Sequence, residues 1–161
     1  MKEYDENLPQ TVVKLLSEKN MIISSAESCT GGLFAKLITD IPGSSAVLNE
    51  SYVTYANEAK TRILGVREET LKNYGAVSFE TVFEMAEGLY KVSKADVCVV
   101  FSGIAGPGGG TEEKPVGTVY SAICFQGKTT TYKLFFEGTR EEVRMCSCFE
   151  MLKKIKELLK E

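Results

Sequence analysis

The 161-residue chain is 43% hydrophobic and 25% charged, the make-up of one globular domain with a filled core, which excludes a disordered or fibrous protein. No apolar run approaches the roughly 20 residues that cross a bilayer, and the acidic N-terminus MKEYDENLPQ lacks the charged-then-apolar pattern of an export signal, so a cytoplasmic chain with no membrane partner is expected. With 19 Lys plus Arg against 22 Asp plus Glu, the net charge of -3 offers no basic field for a polyanion, and no direct nucleic-acid partner is expected.

Leu8, Val12, Leu15 and Leu16 recur at helical spacing behind Asn7 and Pro9, a cap and an early helical proline. Met21, Ile22 and Ile23 read as a short buried strand ending near Ser25. A second helix is expected to start near Thr30, Gly31 and Gly32, carry Leu33, Leu37 and Ile38, and stop before Ile41, Pro42 and Gly43. Residues 51–55 have strand composition, and Asn57 is placed to cap a short helix over 58–64. Phe79, Val82, Phe83, Ala86, Leu89 and Tyr90 then share one helical face behind Ser78. The continuous apolar run at 96–101 predicts a central strand covered on both sides. Strands over 118–125 and 129–136 flank Gln126, Gly127 and Lys128, a tight hairpin turn. Thr139 and Glu142 make a capping box before an amphipathic helix with Cys148, Phe149, Leu152, Ile155 and Leu159 on one side. Helices interleaved with strands and one late hairpin predict a single three-layer α/β/α domain with a mixed, mostly parallel sheet. Ligands in such sheets bind where strands end and helices begin.

The chain contains no histidine, so the commonest general base and the commonest transition-metal ligand are both missing. Proton transfer falls to Lys, Tyr, Asp, Glu or a thiol. Cys29, Cys98, Cys124, Cys146 and Cys148 have no Cys-x-x-Cys spacing and read as free thiols, with no metal site expected.

Three segments have the residue types for chemistry. In the first, Ser28 and Cys29 stand between a buried strand and a helix start. Backbone N–H groups there are candidate donors to an oxyanion, and Gly31 and Gly32 admit a substrate close to the main chain. Equally, Ser28 or Thr30 serves only as an N-cap. In the second, Asn57 as cap puts Lys60 in the first helical turn, where the dipole lowers its pKa; the alternative is a solvated surface lysine. In the third, Gly103, Gly106, Gly108, Gly109 and Gly110 crowd the loop before Thr111. Such a loop wraps N–H groups around a phosphate or works as a lid, and it matches neither phosphate-loop pattern with a fixed spacing. Arg140 and Arg144 share a helical face, as a phosphate clamp or as partners of surface carboxylates such as Glu141.

The stretches AESCTGGLFAKLITDIPGSSAVL, YVTYANEAKTRILGV, GAVS and SGIAGPGGGTEEKPVGTVY, spanning about residues 21–144, closely resemble the CinA C-terminal domain family. Stand-alone members of that family are nicotinamide mononucleotide amidohydrolases of pyridine nucleotide salvage, forming nicotinate mononucleotide and ammonia. Longer members carry an N-terminal domain similar to molybdopterin-binding proteins, which this chain is expected to lack. The resemblance implies a serine amidase with no metal and no cofactor, acting on a small nucleotide. Ser28 matches the nucleophile, Lys60 the general base and Tyr55 a third member that relays or orients the proton. Cys29, Thr30, Gly31, Gly32 and Asn57 fall on the substrate side, while Gly106, Gly108, Gly109, Gly110, Thr111 and Arg140 or Arg144 are candidates for the nucleotide phosphate. A serine without histidine needs another base, and a lysine of depressed pKa supplies it. Two other readings stand: a non-catalytic nucleotide-binding or regulatory module of the same fold, and Cys29 as nucleophile in place of Ser28. A two-fold homodimer is the base-rate expectation.

Overall fold

Residues 3–161 are described by a computed structural model. In chain order it contains α1 (Leu8–Glu18), β1 (Ile23–Glu27), α2 (Leu33–Thr39), a short 3-10 turn (Ser44–Ala46), β2 (Tyr52–Val53), α3 (Asn57–Leu64), α4 (Glu68–Tyr74) and α5 (Phe79–Ser93). β3 (Val97–Gly103), β4 (Thr118–Phe125), β5 (Lys128–Phe135) and α6 (Arg140–Lys160) follow. The strands form one sheet in the order β2-β1-β3-β4-β5. β1 is parallel to both β2 and β3, while β4 is antiparallel to β3 and to β5. Only β4 therefore runs against the other strands, and the sheet is mixed and mostly parallel as expected.

Alternation along β3 builds two cores. Val97, Val99 and Phe101 face α1, α2 and α6, whereas Cys98 and Val100 face the side covered by α5 with Leu64, Val66, Met85 and Leu89. Burial on both faces is why this strand reads as an unbroken apolar run. On α5 the stripe of Val82, Met85, Ala86 and Leu89 is buried, but Phe79, Phe83 and Tyr90 lie at its margin and are 44%, 45% and 37% exposed. Gly88 marks the closest approach of α3, since a Cβ there would lie 1.7 Å from Leu64 O. The hairpin turns on Gln126 and Gly127, both at positive φ, the turn whose twist suits two antiparallel strands. At α6 the capping box closes from both sides, with Thr139 Oγ1 accepting from Glu142 N and Glu142 Oε2 from Thr139 N.

Several boundaries differ from expectation. β1 runs on to Glu27 instead of ending near Ser25, because β3 pairs with it through Glu27. β2 keeps only Tyr52 and Val53 of the expected strand, paired on one side to β1. Asn57 is not the cap of α3; Ala56 holds the extended cap conformation and Asn57 is the first helical residue. α4 has no counterpart in the sequence reading, since EETLKNY carries too few apolar residues to show a period. No helix among the described residues is long and apolar enough to cross a membrane.

Candidate active site

The parallel strands β1 and β3 are neighbours, but the chain leaves β1 toward β2 on one side and reaches β3 on the other. Between their carboxyl ends the topology opens a crevice, the usual ligand position in open α/β sheets. A pocket of about 270 Å3 lies there, lined by Ser28 and Cys29 after β1, Gly103 at the end of β3 with Ile104 and Ala105 beyond it, Tyr55, Gly106, Gly108, Gly109 and Arg140. A larger hollow of about 460 Å3 between the N-terminal segment and α6 holds Tyr4, Cys146 and Phe149 but no serine, so its size does not make it the better candidate.

Lys60 is only 1% exposed and, from α3, reaches Ser28 and Tyr55 of the pocket lining without itself lining the pocket. Its Nζ lies 3.1 Å from Ser28 Oγ, 2.9 Å from Thr54 O and 3.2 Å from Tyr55 O. Burial lowers its pKa from the ordinary 10.5, against a smaller opposing pull from the neighbouring Cys29 thiolate form. The lowering thus comes from desolvation, not from the helix end invoked from sequence, and the solvated-lysine alternative fails. As an ammonium Lys60 donates to Ser28 Oγ; in the neutral form, with both N–H bonds given to the two carbonyls, its lone pair would face the Ser28 hydroxyl instead.

The Ser28 turn is built by glycine. Gly31 and Gly32 sit at φ +57 and +99, a left-handed pair that an alanine would strain, and Gly32 rather than Ser28 or Thr30 is the N-cap of α2. Thr30 Oγ1 is buried with no hydrogen-bond partner among the described residues. The amino end of α2 is already neutralised, because buried Glu27 accepts from Phe34 N at 2.8 Å and Ala35 N at 3.1 Å, with Ser25 Oγ donating at 3.0 Å. The expected anion site on that helix is therefore filled by the protein itself. Nearer the serine, Ser28 N donates to Phe101 O and Gly31 N to Ser28 O, both at 3.0 Å. The N–H groups of Cys29 and Thr30 have no carbonyl or carboxylate partner among the described residues.

The remaining sequence candidates divide. Tyr55 is 60% exposed, and its hydroxyl accepts from Arg140 Nη2 at 3.1 Å; what it offers Lys60 and Ser28 is its backbone carbonyl, not its phenol. Arg140 Nη1 also holds Gly106 O at 2.8 Å. Arg144 is turned to other work, donating from Nε to Cys29 O at 3.0 Å and from Nη2 to Thr30 O at 2.8 Å. Gly106, Gly108 and Gly109 line the pocket. Gly110 instead packs against Val116 N, and Thr111 is engaged with Lys114 through both its N–H and its hydroxyl. Asn57 is exposed and lines a separate surface hollow with Glu58, Thr61 and Arg62. Cys29 has its thiol pushed up to about 11 by burial, which disfavours the thiolate a cysteine nucleophile requires. Among the described residues no group of three or more carboxylates and thiols is placed to hold a metal ion.

The fold and site define a three-layer α/β domain whose crevice pairs a serine hydroxyl with a buried amine. The model of the CinA C-terminal domain matches residues 5–159, and the chain belongs to this family. It is 47% identical over 154 residues to a putative competence-damage inducible protein of Clostridioides difficile, covering 96% of this chain and 37% of that protein. A CinA-like protein of Endomicrobium trichonymphae is 52% identical over 140 residues, 87% of this chain and 33% of the relative. The chain thus spans about a third of the length of these curated relatives. Among solved structures, the competence/damage inducible protein CihA of Agrobacterium tumefaciens superposes with a TM-score of 0.93 at 38% identity, covering 100% of both chains. The competence damage-inducible protein A (ComA) of Klebsiella pneumoniae superposes at 0.94 with 34% identity and 99% coverage of each.

Proposed function

We propose that this domain is a nicotinamide mononucleotide amidohydrolase of the cytoplasm, with Ser28 as nucleophile and Lys60 as general base. The observation that carries the reading is the buried Lys60 amine 3.1 Å from Ser28 Oγ, with both its other contacts backbone carbonyls. Neutral Lys60 takes the hydroxyl proton as Ser28 Oγ attacks the carboxamide carbon. The charge that develops on the carboxamide oxygen is met by the N–H groups of Cys29 and Thr30. The Lys60 ammonium then returns the proton to the departing nitrogen, the C–N bond breaks, and ammonia leaves. Water, deprotonated by the same amine, adds to the acyl-enzyme and releases the carboxylate with Ser28 restored.

The nucleotide phosphate is assigned to Arg140 and the loop bearing Gly106, Gly108 and Gly109. A guanidinium has five N–H donors; Gly106 O and the Tyr55 hydroxyl engage two of its nitrogens and hold its plane at the pocket mouth. Tyr55 accordingly belongs with the anion site and not with the proton path. Charge-assisted bonds of about 1.5 to 3 kcal/mol each make the phosphate-free riboside a substrate poorer by at least about 100-fold in kcat/KM. Arg140→Ala should raise KM for the mononucleotide and leave the riboside nearly untouched. Steady-state ammonia release with both substrates reads this directly, and equal efficiency on the two would remove the phosphate assignment.

A further inference from the structure

Arg144 stands on α6 four residues after Arg140, yet it is absent from the pocket lining. Its two hydrogen bonds go to the carbonyls of Cys29 and Thr30. In a trans peptide the C=O and N–H point in opposite directions, so fixing a carbonyl also fixes the N–H of the following residue. Held at Cys29 O, the first of these peptides sets the direction of Thr30 N–H. Held at Thr30 O, the second sets Gly31 N–H, which donates to Ser28 O. That bond in turn orients the Ser28 carbonyl and with it Cys29 N–H. One guanidinium therefore governs both N–H groups that the turn leaves without a carbonyl or carboxylate partner. Glu27 secures the same turn from its other end through Phe34 N and Ala35 N.

We infer that Arg144 is a positioning residue for the oxyanion donors Cys29 N–H and Thr30 N–H, and that it does not contact the substrate phosphate. The inference rests on the amidohydrolase reading of Ser28. Its effect belongs to the transition state, where charge develops, and so to kcat.

The test compares Arg144→Gln and Arg144→Lys with wild type on the mononucleotide and on the riboside. Loss of a whole oxyanion donor costs about 100- to 1,000-fold; misdirected donors should cost about 10- to 100-fold in kcat, equally for both substrates, with KM within about threefold. The rise of rate with pH should keep its midpoint, because Lys60 is untouched. A raised KM for the mononucleotide alone, or an unchanged kcat, overturns the inference. Pyridine-3-boronic acid supplies a second measurement, since it forms a tetrahedral adduct on a reactive serine. Arg144→Gln should weaken it about tenfold or more while nicotinamide binds as before, as a donor lost only in the tetrahedral state requires. Equal weakening of both ligands would mean a collapsed pocket and would also overturn it. The two readings fail separately: a wild-type protein that releases no ammonia removes the reaction itself, whereas an active wild type with an Arg144 variant impaired only in KM removes the role of Arg144.

Discussion

Burying an amine disfavours its charge, and in the proposed reaction that cost at Lys60 is turned to use, because the form favoured by burial is the form that would accept a proton from Ser28. The pH dependence has a definite sign. The folded-state pKa lies below the unfolded value near 10.5, so between the two the unfolded chain binds the extra proton and stability rises with pH through that window. Activity should rise with pH through the folded-state pKa and level off before pH 10.5. Lys60→Met should lose at least about 100-fold in kcat, the low end for a positioned acid-base group, and lose the rising limb as well. A rate flat in pH with chemistry rate-limiting would exclude a lysine base. Ser28 and Lys60 came from the family resemblance, with residue types that permit the roles in a chain without histidine; on spacing alone a helix cap and a solvated lysine were also open readings. The partners of Glu27 and Arg144 were not legible, because the N–H groups that Glu27 holds lie seven and eight residues on and the carbonyls that Arg144 holds, in place of the phosphate considered from sequence, lie 115 and 114 residues away. No local pattern encodes such partners. Tyr55 illustrates a different case, where a residue singled out by the resemblance contributes its carbonyl to one group and its hydroxyl to another.

At the scale of elements, what was readable followed from period and cap. β3, α5 and α6 each carry a long apolar stripe, and Ser78 and Thr139 both accept from the backbone N–H three residues on. α4 and the shortness of β2 were unreadable for the matching reason, since a seven-residue helix with one buried residue and a two-residue strand owe their form to neighbours. Gly88 is another position that only packing explains. A methyl group there would collide with the Leu64 carbonyl at the end of α3, and that carbonyl cannot move without shifting the helix that carries Lys60. Gly88→Ala should therefore destabilise by about 1 to 3 kcal/mol despite its better helix propensity, the usual range for overpacking. Urea unfolding reads the difference, and a stabilised variant would show that α3 moves aside freely.

The whole molecule brings together residues from four separated segments, and it does so by sheet order. β1 delivers Ser28, the β2 exit delivers Tyr55 and leads into the helix bearing Lys60, β3 opens the glycine loop, and α6 returns across the crevice with Arg140 and Arg144. Alternating helices and strands made that architecture readable, whereas the 2-1-3 order that places the crevice was not written in any one segment. The central claim is that the Ser28 hydroxyl, activated by a buried lysine and not the neighbouring Cys29 thiol, opens the carboxamide. Ammonia release from nicotinamide mononucleotide by the wild type, Ser28→Ala and Cys29→Ala, measured side by side on folded protein, tests it most directly. The account predicts that Ser28→Ala abolishes release while still binding the mononucleotide, and that Cys29→Ala keeps most of the activity; an active Ser28→Ala, or a wild type that releases no ammonia, would contradict it.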